Sequence, residues 1–188
     1  MKRTIIGAVV GGLIIFFWQA ASHVAFNLHE PSQMYTASQD SVLNVLTKHL
    51  KKEGGYILPR MENEQDMAKA DEFTKSVTGK PWARIQYYSN YNISMQENMI
   101  RGLIVDIFLV FLVIYLIRQL KTPTMKTILG MCLVIGVLVF TNSPYTQHIW
   151  YPVFDLRAEL IDLIVSWGLC GLWLGWYLPR RVESRRVE

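Results

Sequence analysis

The chain has 188 residues, 51% of them hydrophobic and 18% charged, with a formal net charge of +4. A pI near 9.1 beside a positive mean hydropathy of +0.19 points to a membrane and away from nucleic acid, whose binding domains are basic and polar. No P-loop, G-x-G-x-x-G, H-E-x-x-H or G-x-S-x-G is present, so the familiar soluble-enzyme templates have no counterpart here.

The first apolar run, TIIGAVVGGLIIFFW at 4–18, follows Met1-Lys2-Arg3 and predicts a transmembrane helix over 1–26, since about 20 apolar residues cross a ~30 Å hydrocarbon core. A signal peptide is the rival reading: the run has a basic start and a weak small-residue exit, Ala20-Ala21-Ser22. Cleavage would leave three spans with the same orientation. Gly7 and Gly11 form a G-x-x-x-G, the spacing that lets helices approach closely. Gln19 and His23, four apart, put two polar groups on the outermost turn.

Residues 27–97 predict a small α+β extracytoplasmic module. Val42, Leu43, Leu46 and Leu50 have the spacing of an amphipathic helix, with Ser38 or Ser41 as cap and Gly54 as stop. YILPRM reads as a strand. A second helix follows, with Met67, Ala70, Phe73 or Thr74, and Val77 on one face, and PWARIQYYS reads as a second strand. About 70 residues give a thin core, so the module is expected to lean on the spans, on lipid or on a partner. The tyrosines of YYSNYNIS read as an interfacial belt, and Ser94 with Glu97 as a capping box for the next helix.

The second span, over 98–120, carries Asp106. At 1.5 Å per residue, counting back from Arg118 sets this acid about 12 Å below the outer boundary. A central carboxylate costs about 2.5 to 3.5 kcal/mol on insertion scales and needs a partner, a wet cavity or a role. Arg101 is the expected ion-pair partner, and Arg157 with Glu159 a second pair. The third span, over 123–141, has no polar residue between Thr127 and Val139. An outer loop at 142–157, with two prolines, follows. The fourth span, over 158–179, carries Glu159, Asp162 and Ser166 in line with Asp155 at i, i+4, i+7 and i+11, one helical face. It also holds Gly171 and Gly175, at a depth matching Gly7 and Gly11. That match predicts a contact between spans one and four, with a homodimer contact as the alternative. Residues 180–188 form a basic cytoplasmic tail. Cys132 and Cys170 fall inside apolar runs and read as small buried hydrophobes.

Lys2, Arg3, Arg118, Lys121, Lys126, Arg180, Arg181, Arg185 and Arg186 flank the spans on one side against only Glu183 and Glu188. That bias places both termini in the cytoplasm, in a bacterial inner membrane. The expected fold class is an all-α integral membrane protein of four transmembrane helices, with the small α+β module between the first and second.

Polar residues crowd the outer half of three spans. The ligand or ion candidates are Asp106, Asp162, Glu159, Arg101, Arg157, Gln19 and His23; His23 and His148 are the metal candidates. No catalytic residue and no cofactor is expected. The partners are the lipid bilayer and a protein or second copy of the chain, not nucleic acid. The leading functional expectation is a non-enzymatic binding or accessory subunit. A small proton- or cation-linked transporter and an interfacial enzyme acting on a lipid or quinone stay open beside it.

Overall fold

The computed structural model describes residues 1–62 and 67–179, with Met67 and Ala68 described in backbone only. The expected basic tail at 180–188, and the Met67 side chain expected on an apolar helix face, lie outside the described residues. The chain divides into two compact units, residues 1–34 with 94–188 and residues 35–93.

The first unit contains four helices long and apolar enough to cross a membrane. Helix α1 (Lys2–Ala20) runs on through a π-type turn at Ala21–Ala25. Helix α4 (Met95–Ile117) starts at Ser94, whose Oγ accepts a hydrogen bond from the Glu97 N–H at 3.3 Å, the serine half of the expected capping box. Helix α5 (Met125–Phe140) passes through a second π-type turn (Thr141–Tyr145) into α6 (Thr146–Trp150). Most of the expected loop at 142–157 is therefore helical. Pro144 lacks an N–H and would break a regular α-helix, and the wider turn accommodates it. Helix α7 (Leu156–Tyr177) closes the unit.

The helices pack in the order α4, α1, α7, α5, with α4 and α5 touching only lightly. Their core contains Val110, Ile114, Ile128, Cys132, Cys170 and Leu174. Glycines set the close crossings. A Cβ on Gly12 would stand 2.7 Å from the Ile107 backbone of α4, and one on Gly11 2.8 Å from Val110. Gly171 and Gly175 face Leu129 and Met125 of α5 instead, each within 3.2 Å of backbone. The glycines of the two G-x-x-x-G motifs thus do not face one another: the first pair packs against both α4 and α7, with Cys170 Sγ 3.2 Å from a Gly11 Cβ, and the second against α5. Matched depth was a sound cue to antiparallel neighbours, but depth says nothing about which way a face points. Helices α1 and α7 do adjoin, through Gly7 against Leu174 and Tyr177. Arg3 donates to the Tyr177 carbonyl and lies over that ring, 5.0 Å from its centre.

The second unit is the expected helix, strand, helix, strand: α2 (Gln39–His49), β1 (Gly54–Leu58), α3 (Met67–Val77) and β2 (Ala83–Tyr87). The strands pair antiparallel with Tyr56 opposite Ile85. Ala70, Phe73 and Val77 are half-buried along one face of α3. Ser38 takes the N-cap position without a side-chain cap bond, and α2 ends before Leu50, so Gly54 opens the strand and does not stop the helix. Tyr87 is buried within the unit, while Tyr88 and Tyr91 are exposed. Of the tyrosines expected at an interface, Tyr87 is therefore packed inside.

Candidate functional site

The polar site lies at the end of the bundle where α1 finishes and α7 begins. Helix α1 leaves through its π-type turn, in which the Phe26 N–H reaches the Ala21 carbonyl at 2.9 Å. Asn27 then adopts φ +49, the left-handed conformation that asparagine tolerates best after glycine. The Leu28 N–H closes back on the Ser22 carbonyl at 3.0 Å, one residue wider than the closure usual at an α-helix C-terminus. The chain reverses there and carries His29 back against α7. His29 is only 4% exposed.

Each ring nitrogen of His29 faces a carboxylate. Nδ1 lies 3.1 Å from Asp155 Oδ2 and Nε2 2.9 Å from Asp162 Oδ2. An imidazole nitrogen that carries a proton donates to the carboxylate it faces, and the doubly protonated ring satisfies both carboxylates at once. Burial lowers the His29 pKa, but the hydrogen bonds to Asp162 and Asp155, with the charges of Asp162 and Glu159, outweigh it and leave the pKa above the ordinary value. For Asp155, burial works upward, while hydrogen bonds from His29, Ser32 and its own backbone and the His29 charge bring it below the usual carboxylate value.

The remaining groups are held from behind. Trp18 Nε1 donates to Asp162 Oδ1 at 3.0 Å. His23 Nδ1 lies 3.0 Å from the Gln19 carbonyl oxygen. That oxygen can only accept, so Nδ1 is the donor in this contact and Nε2 is not used by it. The His23 ring stacks on His29 with centroids 4.0 Å apart and 11° between planes. Ser166 donates to the Asp162 carbonyl one turn further into α7. Gln19, His23, His29, Glu159, Asp162 and Ser166 are the polar lining of a pocket of about 320 Å³, which Phe140 of α5 and Pro144 of the turn after it also line.

Four of the expected ligand residues are thus brought together: Gln19, His23, Glu159 and Asp162. Three are not. Arg101 and Arg157 are exposed, and neither of the expected ion pairs, Arg101 with Asp106 or Arg157 with Glu159, is formed. Long arginine stems at a helix edge can keep their charge in water, and these do. Asp106 is 4% exposed, its polar neighbour is the Gln19 side chain, and its Oδ2 has no hydrogen-bond partner. His148 does not join His23: its Nδ1 accepts from the Val153 N–H at 3.1 Å and closes the turn after α6. His29 and Trp18 are the residues that sequence reasoning missed. Asn27, a residue type that tolerates the left-handed conformation, two positions before His29, is the signal that could have found the reversal.

Two sets of side chains bring three potential metal ligands within 4.8 Å of one another: His23, His29 and Asp162, and His29, Asp155 and Glu159. The chain matches no protein-family model, no curated protein and no solved structure.

Proposed function

We propose that the chain is an integral membrane protein, a non-enzymatic binding or accessory subunit whose polar pocket takes up a cation on the extracytoplasmic side of a bacterial inner membrane. The observation that carries this reading is the pocket itself. Three acidic side chains, Asp155, Glu159 and Asp162, lie about one histidine, His29, and a surplus of acidic groups at an open pocket attracts positive charge. Large apolar side chains face outward along the long helices, Ile104, Phe108, Val134 and Leu138 among them, and a lipid environment removes that surface from water. The basic flanks at Lys2, Arg3, Arg118, Lys121 and Lys126 orient both termini toward the cytoplasm. Beyond Ser166, α7 carries no carboxylate, histidine or lysine, which favours a site entered from one side over a conducting path.

Two measurements test the reading. Reporter fusions after Leu120 are expected to face the cytoplasm and those near Lys80 and His148 the outside; a cytoplasmic Lys80 reporter reverses the topology. Thermal unfolding of the full chain in detergent is then followed with Na⁺, K⁺, Mg²⁺, Zn²⁺ and tetramethylammonium. At least one cation is expected to raise the Tm of the wild type, as any ligand that binds only the folded state does, and to raise that of Glu159→Gln less. No shift with any of them refutes the cation pocket.

A further inference from the structure

The polar wall contains more order than charge attraction needs. Three side chains, His23, His29 and Asp162, bring potential ligand atoms within 4.8 Å of one another. Each has its other polar atom occupied by a partner. His23 Nδ1 is tied to the Gln19 carbonyl, His29 Nδ1 to Asp155, and Asp162 Oδ1 to the Trp18 indole. That leaves His23 Nε2, and His29 Nε2 and Asp162 Oδ2, which share one hydrogen bond, as the atoms able to bond a metal. Metal-binding histidines nearly always donate their second N–H to a carboxylate or a backbone carbonyl, which sets the tautomer and raises ligand basicity. Both histidines here have that arrangement, one of each kind.

We propose that His23 Nε2, His29 Nε2 and Asp162 Oδ2 form a three-ligand site for a divalent transition-metal ion of the zinc class, with a further coordination position open to the pocket. The inference rests on the cation-pocket reading and names its cation. Two imidazoles and one carboxylate select a borderline metal such as Zn²⁺ over Mg²⁺ or Ca²⁺, which prefer all-oxygen sets. His29 Nε2 and Asp162 Oδ2 are 2.9 Å apart. Two donors bound at about 2.0 to 2.2 Å to one tetrahedral zinc stand a few tenths of an ångström farther apart than that. The ion takes the place of the single proton they share, and that proton leaves to solvent. His23 must turn out of its stack, because parallel rings aim their lone pairs side by side. It is exposed, and the torsion that turns a histidine ring has broad wells. Asp155, Trp18 and the Gln19 carbonyl act as positioning groups. Glu159 lies in the pocket wall outside the three-ligand set.

The test uses the full chain in detergent, stripped of metal with a chelator. Zn²⁺ alone is titrated by calorimetry, and Co²⁺ alone is followed through its visible ligand-field bands, which report nitrogen and oxygen coordination directly. The wild type is expected to bind one equivalent. His23→Ala, a change on an exposed side chain that leaves the fold intact, is expected to weaken binding more than a hundred-fold and to change the Co²⁺ spectrum. Asp155→Asn preserves shape and is expected to cost the ten- to hundred-fold typical of an outer partner. The proposal is overturned by a wild type that binds neither ion, by His23→Ala binding as tightly as wild type, or by a ligand set that loses Co²⁺ on Glu159→Gln but not on His23→Ala. Stabilisation by Na⁺, K⁺ or tetramethylammonium alone would overturn the metal site while leaving the cation pocket standing; failure of every cation removes both.

Discussion

The indole Nε1 of Trp18 stands 3.0 Å from Asp162 Oδ1, so α1 holds one oxygen of an α7 carboxylate and leaves the other to His29. This cross-bond ties the two helices at the pocket end, as Arg3 and Tyr177 tie them at the other. Hydrogen bonds to charged groups contribute about 1.5 to 3 kcal/mol in water-soluble proteins, but side-chain bonds between membrane helices average only about 0.6. Trp18→Phe keeps the ring and removes the donor. It is expected to cost about 1 kcal/mol, between those limits, in reversible unfolding from detergent, and a neutral result would show that Asp162 is held by His29 alone.

Gly12 has the tightest surroundings of the described glycines. An added Cβ would meet Ile107 Cγ1 at 2.6 Å and the Ile107 N and Cα at 2.7 Å. Backbone cannot rotate aside as a side chain can. Gly12→Ala is expected to destabilise by about 1 to 3 kcal/mol through overpacking. Gly130→Ala, with nothing within 4 Å, is expected to gain up to about 1 kcal/mol from helix propensity. The same unfolding assay compares them, and equal effects would mean that α1 and α4 are not in close contact.

Asp106 distinguishes buried charge from ion pairing. Its Oδ2 is buried and without a partner, and Arg101 is exposed. An uncompensated carboxylate in such a place is costlier than the amide of the same shape. Asp106→Asn is expected to raise stability by about 1 kcal/mol, and Arg101→Gln to stay within about 0.5 kcal/mol of wild type. Losses of similar size from both substitutions, absent from each other's background in the double variant, would restore the ion pair.

In the second unit, Glu53 Oε1 accepts from the Ser89 hydroxyl at 2.6 Å and from the Ser89 N–H at 2.9 Å. These bonds favour the ionised form and hold the Glu53 carboxyl below its ordinary value of 4.5. A group with a depressed folded-state pKa contributes stability that is present above its unfolded value and is lost as pH falls through the folded one. Hydrogen exchange of peptides covering β1 and β2 in the full chain should therefore quicken as pH drops below about 4.5, after correction for intrinsic rates. Ser89→Ala should flatten that change; an unchanged profile would show the contact to be idle.

The four long helices and the helix-strand alternation of residues 35–93 were legible because each is a local signal. A run of apolar residues or a period of 3.6 needs no knowledge of the rest of the chain. The polar face of α7 was legible for the same reason: Glu159, Asp162 and Ser166 share one side of one helix. His29 was not. It sits six residues from His23, off any shared helical face, and reaches Asp162 only because Asn27 reverses the chain. Pro144 misled in the opposite sense, since a proline inside helical structure is readable only when the turn around it is known to be wide. The arginines misled because an unpaired positive charge at a helix edge seemed to need a partner, although water serves.

Both wide turns of the bundle, Ala21–Ala25 and Thr141–Tyr145, lie beside the pocket, and each takes one residue more than an α-helical turn to close its hydrogen bond. Their positions make chain length, and not only side-chain identity, a determinant of the site. Deleting one residue within Ala21–Ala25 would let α1 continue in regular register and turn everything downstream by about 100°, carrying the reversal at Asn27 and the His29 ring off the carboxylates. The pocket is thus guarded by a count: a substitution at Val24, an exposed side chain in that turn, is cheap, whereas a single-codon deletion at the same place dismantles the clamp.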